Sequence, residues 1–152
     1  MTKATNPLRV TLESVLGPVG FIRKGDFWFR STDEVVEVSN LQKSQYGEQY
    51  YLNYALWLRP LGEESFPKEE KCHIRMRAGA IVSSSTELGT LLDLESNVAE
   101  VERRSRLADV LTRELLPFAA SCRTIEGLRT VFAREGFKQA MVHARAEAIL
   151  SC

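Results

Sequence analysis

Apolar positions change their spacing twice along this chain, and the changes divide it into three stretches. In the first, Leu8, Leu12, Val15 and Leu16 recur at i, i+4, i+7 and i+8, the stripe of an amphipathic helix. Asn6 is suited to cap that helix, Pro7 to its first turn, and Gly17–Pro18 to its end, so a helix is predicted over 7–16. The spacing then falls to two. Phe21–Lys24 and Phe27–Arg30 flank Gly25–Asp26, a two-residue turn that predicts a tight hairpin. Ser31–Asp33 turns into a strand over 34–44, and Gln45–Glu48 turns into another over 49–59. In the latter, Tyr50, Leu52, Tyr54, Leu56 and Leu58 share one face and Tyr51, Asn53, Ala55 and Trp57 the other, so it reads as a central strand.

Pro60–Lys71 is polar and predicted to be a surface loop. Cys72–Ala78 alternates again, with Cys72, Ile74, Met76 and Ala78 inward and His73, Arg75 and Arg77 outward. Ser83–Thr86 reads as a flexible connection. From about Asn97 the period is helical: Leu107, Leu111, Leu115 and Phe118 form one stripe, with Pro117 bending its last turn. Thr124 is suited to cap a further helix carrying Ile125, Leu128 and Val131 or Phe132. Gly136 ends it, and Phe137–Leu150 reads as one more helix. A helix, a run of hairpin-linked strands and then helices predicts an α+β fold. Its expected form is an N-terminal helix, an antiparallel meander of about five strands, and two or three C-terminal helices packed on the sheet.

Composition narrows the function classes. At 152 residues the chain is expected to form one domain, and 44% hydrophobic with 26% charged residues is a globular balance. Twenty basic side chains match twenty acidic ones, which argues against a nucleic-acid partner. Residues 1–60 carry +1, residues 61–102 carry −5 and residues 103–152 carry +4, so the middle segment is the acidic one. No apolar run is long enough for a membrane helix, and the polar opening Met1–Thr5 predicts no secretion signal. Three cysteines (Cys72, Cys122, Cys152) without a CxxC suggest free thiols and a cytoplasmic setting.

Catalytic signatures are sparse. Cys72 and His73 are neighbours on an expected strand, where they point to opposite faces, and His143 has no ligand-spaced companion, so neither metal nor cofactor is expected. No GxSxG elbow or phosphate-cradling glycine loop occurs. Glu13, Glu34 and Glu37 read as solvated, as do Arg103, Arg104 and Arg106.

The polar residues on the strands are of another kind. Gln42, Ser44 and Asn53 fall in or beside strands that otherwise look buried, and a buried amide needs partners. Arg75 and Arg77, two apart and so roughly 6.6 Å along one face, are suited to hold an anion between their forked donors. Together these five residues predict a small polar pocket. In the alternative, the amides bridge neighbouring strands and the arginines pair with Glu37 or the acidic loop. The aromatics Trp28, Tyr51 and Trp57 form either an adhesive patch or core.

Gly20-Phe21-Ile22-Arg23-Lys24-Gly25, Asn40-Leu41-Gln42-Lys43-Ser44, Tyr51-Leu52-Asn53-Tyr54-Ala55-Leu56 and Cys72-His73-Ile74-Arg75-Met76-Arg77-Ala78-Gly79, in this order and spacing, resemble the bacterial family catalogued as domain of unknown function 4304. The resemblance covers about residues 8–130, with a C-terminal helical extension over about 136–152. It departs at Tyr54, where the family more often has glycine. It implies an α+β fold and no activity, so no catalytic residue is carried over.

The expectation is therefore a non-catalytic cytoplasmic binding protein, of the kind of an immunity protein that neutralises a toxin by direct binding. Its partner would be another protein, such as a basic toxin domain, met by the acidic surface of Glu63, Glu64, Glu69 and Glu70. The alternative is a small-anion sensor or enzyme using the Gln42, Asn53, Arg75 and Arg77 pocket.

Overall fold

The computed structural model describes residues 6–152 apart from 136 and 138. Helix α1 spans Pro7–Leu16 as expected: the Asn6 side chain accepts hydrogen bonds from the backbone N–H groups of Leu8 and Arg9, at 2.8 and 3.4 Å, satisfying two orphan donors of its first turn. Five strands follow: β1 (Ile22–Lys24), β2 (Phe27–Ser31), β3 (Val35–Lys43), β4 (Tyr50–Leu58) and β5 (Ile74–Arg77). Gly25 supplies the positive φ, 64°, that the β1–β2 turn needs, the reason glycine stands there. A sixth strand, β6 (Met141–Val142), completes an antiparallel meander in sequence order.

Among the described residues, the C-terminal half carries five α-helices. Helix α2 is Ser85–Leu92. Helix α3 (Glu100–Val110) runs through a π turn at Leu111–Leu115 into α4 (Leu116–Ser121), followed by α5 (Ile125–Glu135) and α6 (Ala144–Leu150). The π turn lies one turn before Pro117, whose ring would meet the carbonyl four residues back in a regular helix; widening relieves that clash.

Three expectations are corrected. Ser83–Thr86 does not form a flexible connection but leads into α2, whose weak helix formers are held by burying Leu88, Leu91 and Leu92. The two residues just before it are fixed from a distance, because the Glu114 carboxylate accepts from Ser83 N–H at 2.7 Å, Ser83 Oγ–H at 2.6 Å and Ser84 N–H at 3.2 Å. Phe137–Leu150 is not one helix: Phe137 and Gln139 take positive φ, β6 pairs with β5, and His143 begins α6 by accepting from Arg145 N–H. The expected break at Gly136 lies outside the described residues. Cys72 does not share a face with Ile74 and Met76; it precedes β5 and packs with Phe29, Val36, Val38 and Ala55.

Strand register separates two faces. Trp28, Ser39, Tyr54 and Met76 stand in one cross-strand row on the face the helices cover. There, Leu8, Leu12 and Leu16 of α1 meet Trp28, Leu41 and Leu52 together with Leu91 and Leu107. Leu128, Val131, Ala146 and Leu150 meet Val35, Leu56 and Ile74. Each fully buried leucine contributes about 1.5–3 kcal/mol by leaving water. Trp28 is wholly buried here and is core, not adhesive surface. The opposite face holds Phe27, Asn40, Asn53 and Arg77 in the adjacent row. The segment 59–72 lies across part of it: Phe66 meets Phe29 edge-on at 5.2 Å, and Trp57 Nε1–H donates to Gly62 O at 2.8 Å. Among the described residues, no helix lies on the rest of that face.

Candidate functional site

The uncovered part of the sheet is built from an amide relay. Asn40 and Asn53 are paired residues of β3 and β4, and Gln42 lies two positions further along the same face. Asn53, 5% exposed, donates from Nδ2 to Asn40 Oδ1 and to Gln42 Oε1, both at 3.0 Å. Asn40 in turn donates to Asp26 O at 3.3 Å. Antiparallel register is what brings these amides together, and their mutual bonds remove the cost of burying them.

Arg77 stands opposite Asn53, and Arg75 opposite Ala55. Their charges are already engaged. Arg75 donates to both carboxylate oxygens of Glu69, at 3.3 and 3.4 Å, and its Nη1 lies 3.8 Å from Met141 Sδ. The Arg77 guanidinium lies over the Tyr51 ring, 3.8 Å from its centre, a cation–π contact. Gln42, Asn53, Glu69, Arg75 and Arg77 line one open cavity of about 440 Å³, whose far wall is Gln139–Met141. Tyr51 and Met141 flank it, 41% and 67% exposed.

The remaining sequence-predicted residues lie apart from this cavity. Ser44 is buried in the β3–β4 turn, its hydroxyl accepting from Tyr46 N–H at 3.1 Å. Glu63, Glu64 and Glu70 are exposed on the segment across the sheet, alternating with Lys68 and Lys71, whereas Glu69 turns inward to Arg75. The acidic surface is thus three glutamates diluted by lysines.

Two charged residues read as solvated are buried instead. Glu37, 1% exposed, belongs to the inward row Val35–Glu37–Ser39–Leu41. There it takes Arg30 Nε–H at 2.6 Å, Arg30 Nη2–H at 3.0 Å and Tyr54 Oη–H at 2.7 Å, with Arg123 Nε at 3.3 Å. Burial first, and the Glu37 charge second, push the Tyr54 hydroxyl well above its ordinary range, so it stays a donor. Arg103, 4% exposed, donates to the carbonyls of Leu91 at 2.6 Å, Asp93 at 2.9 Å and Thr90 at 3.2 Å, closing the C-terminal end of α2. Alternation within β3 marks Glu37 as inward; no local pattern marks Arg103. Glu34 and Glu13 are also engaged, accepting from Ile125 N–H at 3.0 Å and Trp28 Nε1–H at 3.3 Å.

Nucleophilic and metal chemistry have little to work with among the described residues. Burial, with Glu69 nearby, pushes the Cys72 thiol up to about 12, which keeps it protonated and unreactive. His73 and His143 stack edge-on at 6.0 Å, but Nδ1 of each accepts a backbone N–H, from Leu58 and Arg145. A neutral ring with Nδ1 accepting carries its proton on Nε2, the nitrogen a metal would need. Among the described residues no three His, Cys, Asp or Glu side chains are grouped to hold a metal ion. Among them, too, no helix is long and apolar enough to cross a membrane.

No curated protein and no solved structure matches this chain. A family model described as a domain of unknown function, DUF4304, matches residues 12–119, from within α1 to near the end of α4, and so includes strands β1 to β5 and the amide relay. With well over half its length matched, the chain belongs to the DUF4304 family.

Proposed function

We propose that this protein is a non-catalytic, cytoplasmic binding protein that engages another protein through the uncovered part of its sheet, around Tyr51, Gln42, Arg77 and Met141. One observation carries the reading: a half-exposed tyrosine, an exposed methionine and an arginine surround a floor of amides that already satisfy one another. Tyr, Met and Arg are enriched at protein interfaces, and a satisfied amide floor can be covered without leaving polar groups stranded. Glu63, Glu64 and Glu70 are exposed on the segment that crosses the same face of the sheet and favour a basic partner through faster encounter. Occlusion of a basic toxin domain, in the manner of an immunity protein, is the specific form we favour; it rests on analogy of size and charge. The small-anion reading of the same cavity is the weaker one, because Glu69 neutralises Arg75 and Tyr51 covers Arg77.

The test is affinity capture from native lysate with three baits: the unaltered protein, Tyr51→Ala with Arg77→Glu, and Glu63→Lys with Glu64→Lys and Glu70→Lys. A partner retained by the first and lost from the second, with the third binding more weakly and with less dependence on salt, supports the reading. A partner held equally by all three places the interface elsewhere.

A further inference from the structure

We infer that the chain carries a second, separate site: a basic cavity at the end of the sheet that takes the oxyanion head of a small molecule. Arg30 at the end of β2, Arg59 just beyond β4 and Arg123 between α4 and α5 line one cavity of about 360 Å³. Four contacts tie them into one cluster. Glu37 meets both Arg30 and Arg123 through its Oε2, at 2.6 and 3.3 Å. The Thr32 hydroxyl donates to Arg123 O at 2.7 Å, and the Thr32 carbonyl accepts from Arg59 Nη1–H at 3.4 Å.

The charges do not cancel. Glu37 is the one buried carboxylate against the three guanidiniums, and its two oxygens are occupied by Arg30 and Tyr54. Glu63 touches Arg59 only at 4.0 Å with its side chain 91% exposed, where water screens it. Arg30 is committed to Glu37 and to Val19 O. Arg59 and Arg123, about a third exposed, are the arms left to grip a ligand. The Nε of Arg123 is buried beside Glu37 with no hydrogen bond of its own, so the guanidinium is anchored by charge. Val19, Ile22, Phe29 and Phe66 supply an apolar wall, which fits a phosphate or carboxylate borne on a carbon skeleton better than a free ion. No strand residue of the amide cavity takes part, so this site stands or falls apart from the protein-binding face.

Titration of the full chain with inorganic phosphate and with succinate, each against sodium chloride at equal ionic strength, tests it. The readouts are arginine side-chain ¹H–¹⁵N resonances and the unfolding temperature. Binding that Arg59→Gln and Arg123→Gln each weaken about tenfold or more, and that Arg77→Gln leaves unchanged, is expected. Phosphate alone acting identifies a phosphate ester, succinate alone a carboxylate. No perturbation beyond chloride by either anion, or binding that persists in both variants, overturns the proposal. Both variants alter partly exposed side chains, and backbone resonances of β3 report whether the fold is intact.

Discussion

Arg30 and Glu37 face each other directly across the β2–β3 ladder and join through two parallel hydrogen bonds of 2.6 and 3.0 Å, with their side chains 9% and 1% exposed. A forked guanidinium on a carboxylate is the geometry that best offsets the cost of burying both charges. Removing one partner leaves the other charged and dry. Glu37→Ala is therefore expected to destabilise the fold by about 3–5 kcal/mol, read as a lowered urea midpoint. Tyr54→Phe loses one bond to the same carboxylate and should cost about 1.5–3 kcal/mol. Equal losses for the two variants would show that the ion pair itself contributes nothing.

Arg103 poses the opposite problem, a buried cation with carbonyls for company. Replacing it with methionine keeps most of the volume but strands the Leu91, Asp93 and Thr90 oxygens, at about 1–3 kcal/mol for each group left without a partner. The measurable consequences are a lower unfolding midpoint and faster amide exchange over 90–98. Arg103→Lys should not rescue it, since a single ammonium cannot reach the same spread of acceptors.

His73 makes stability depend on pH. Burial first, then His143 and Arg145, lower its pKa, and its Nδ1 accepts the Leu58 N–H at 2.9 Å, which a protonated ring cannot do. The folded state thus binds the proton less readily than the unfolded chain. This contribution is complete above the unfolded value of about 6.5 and is lost as pH falls below it through the depressed folded value. Urea midpoints measured between pH 7.5 and 5 should decline in the unaltered protein and decline less in His73→Gln; identical slopes would reject this assignment.

Glu114 acts at lower pH. Its hydrogen bonds from Ser83 and Ser84 hold its carboxyl down at about 2, so the anchor of α2 persists above the ordinary carboxylate range and is lost as pH falls through that value. At neutral pH, Glu114→Ala should leave the sheet unchanged and speed amide exchange over 83–90. Protection unchanged there would mean that packing of Leu88, Leu91 and Leu92 alone holds the helix.

Local chemistry reaches as far as α1, the Gly25–Asp26 hairpin and the two long strands, because cap, turn residue and alternation all act within a few residues of one another. It fails at α2, where Ser85, Thr86, Gly89 and Thr90 are poor helix formers and the stabilising groups come from the π turn and the core. It fails again at Met141–Val142, where a helical pattern of apolar residues is overridden by pairing with the edge of β5. The amides and Arg75 and Arg77 were visible as polar residues in strands. Their bonding to one another, to Glu69 and to Tyr51 depended on register and on how the 59–72 segment folds back.

Periodicity along the chain determined the class of fold, the order of its first strands and which of their side chains share a face, since each of these is a consequence of backbone geometry repeated every two or 3.6 residues. Only the tertiary structure decided which charges are buried and with whom. Glu37 meets Arg123, and Glu114 meets Ser83, across separations that no repeat encodes. Whether a charged group is solvated or enclosed is set by what the rest of the chain lays over it.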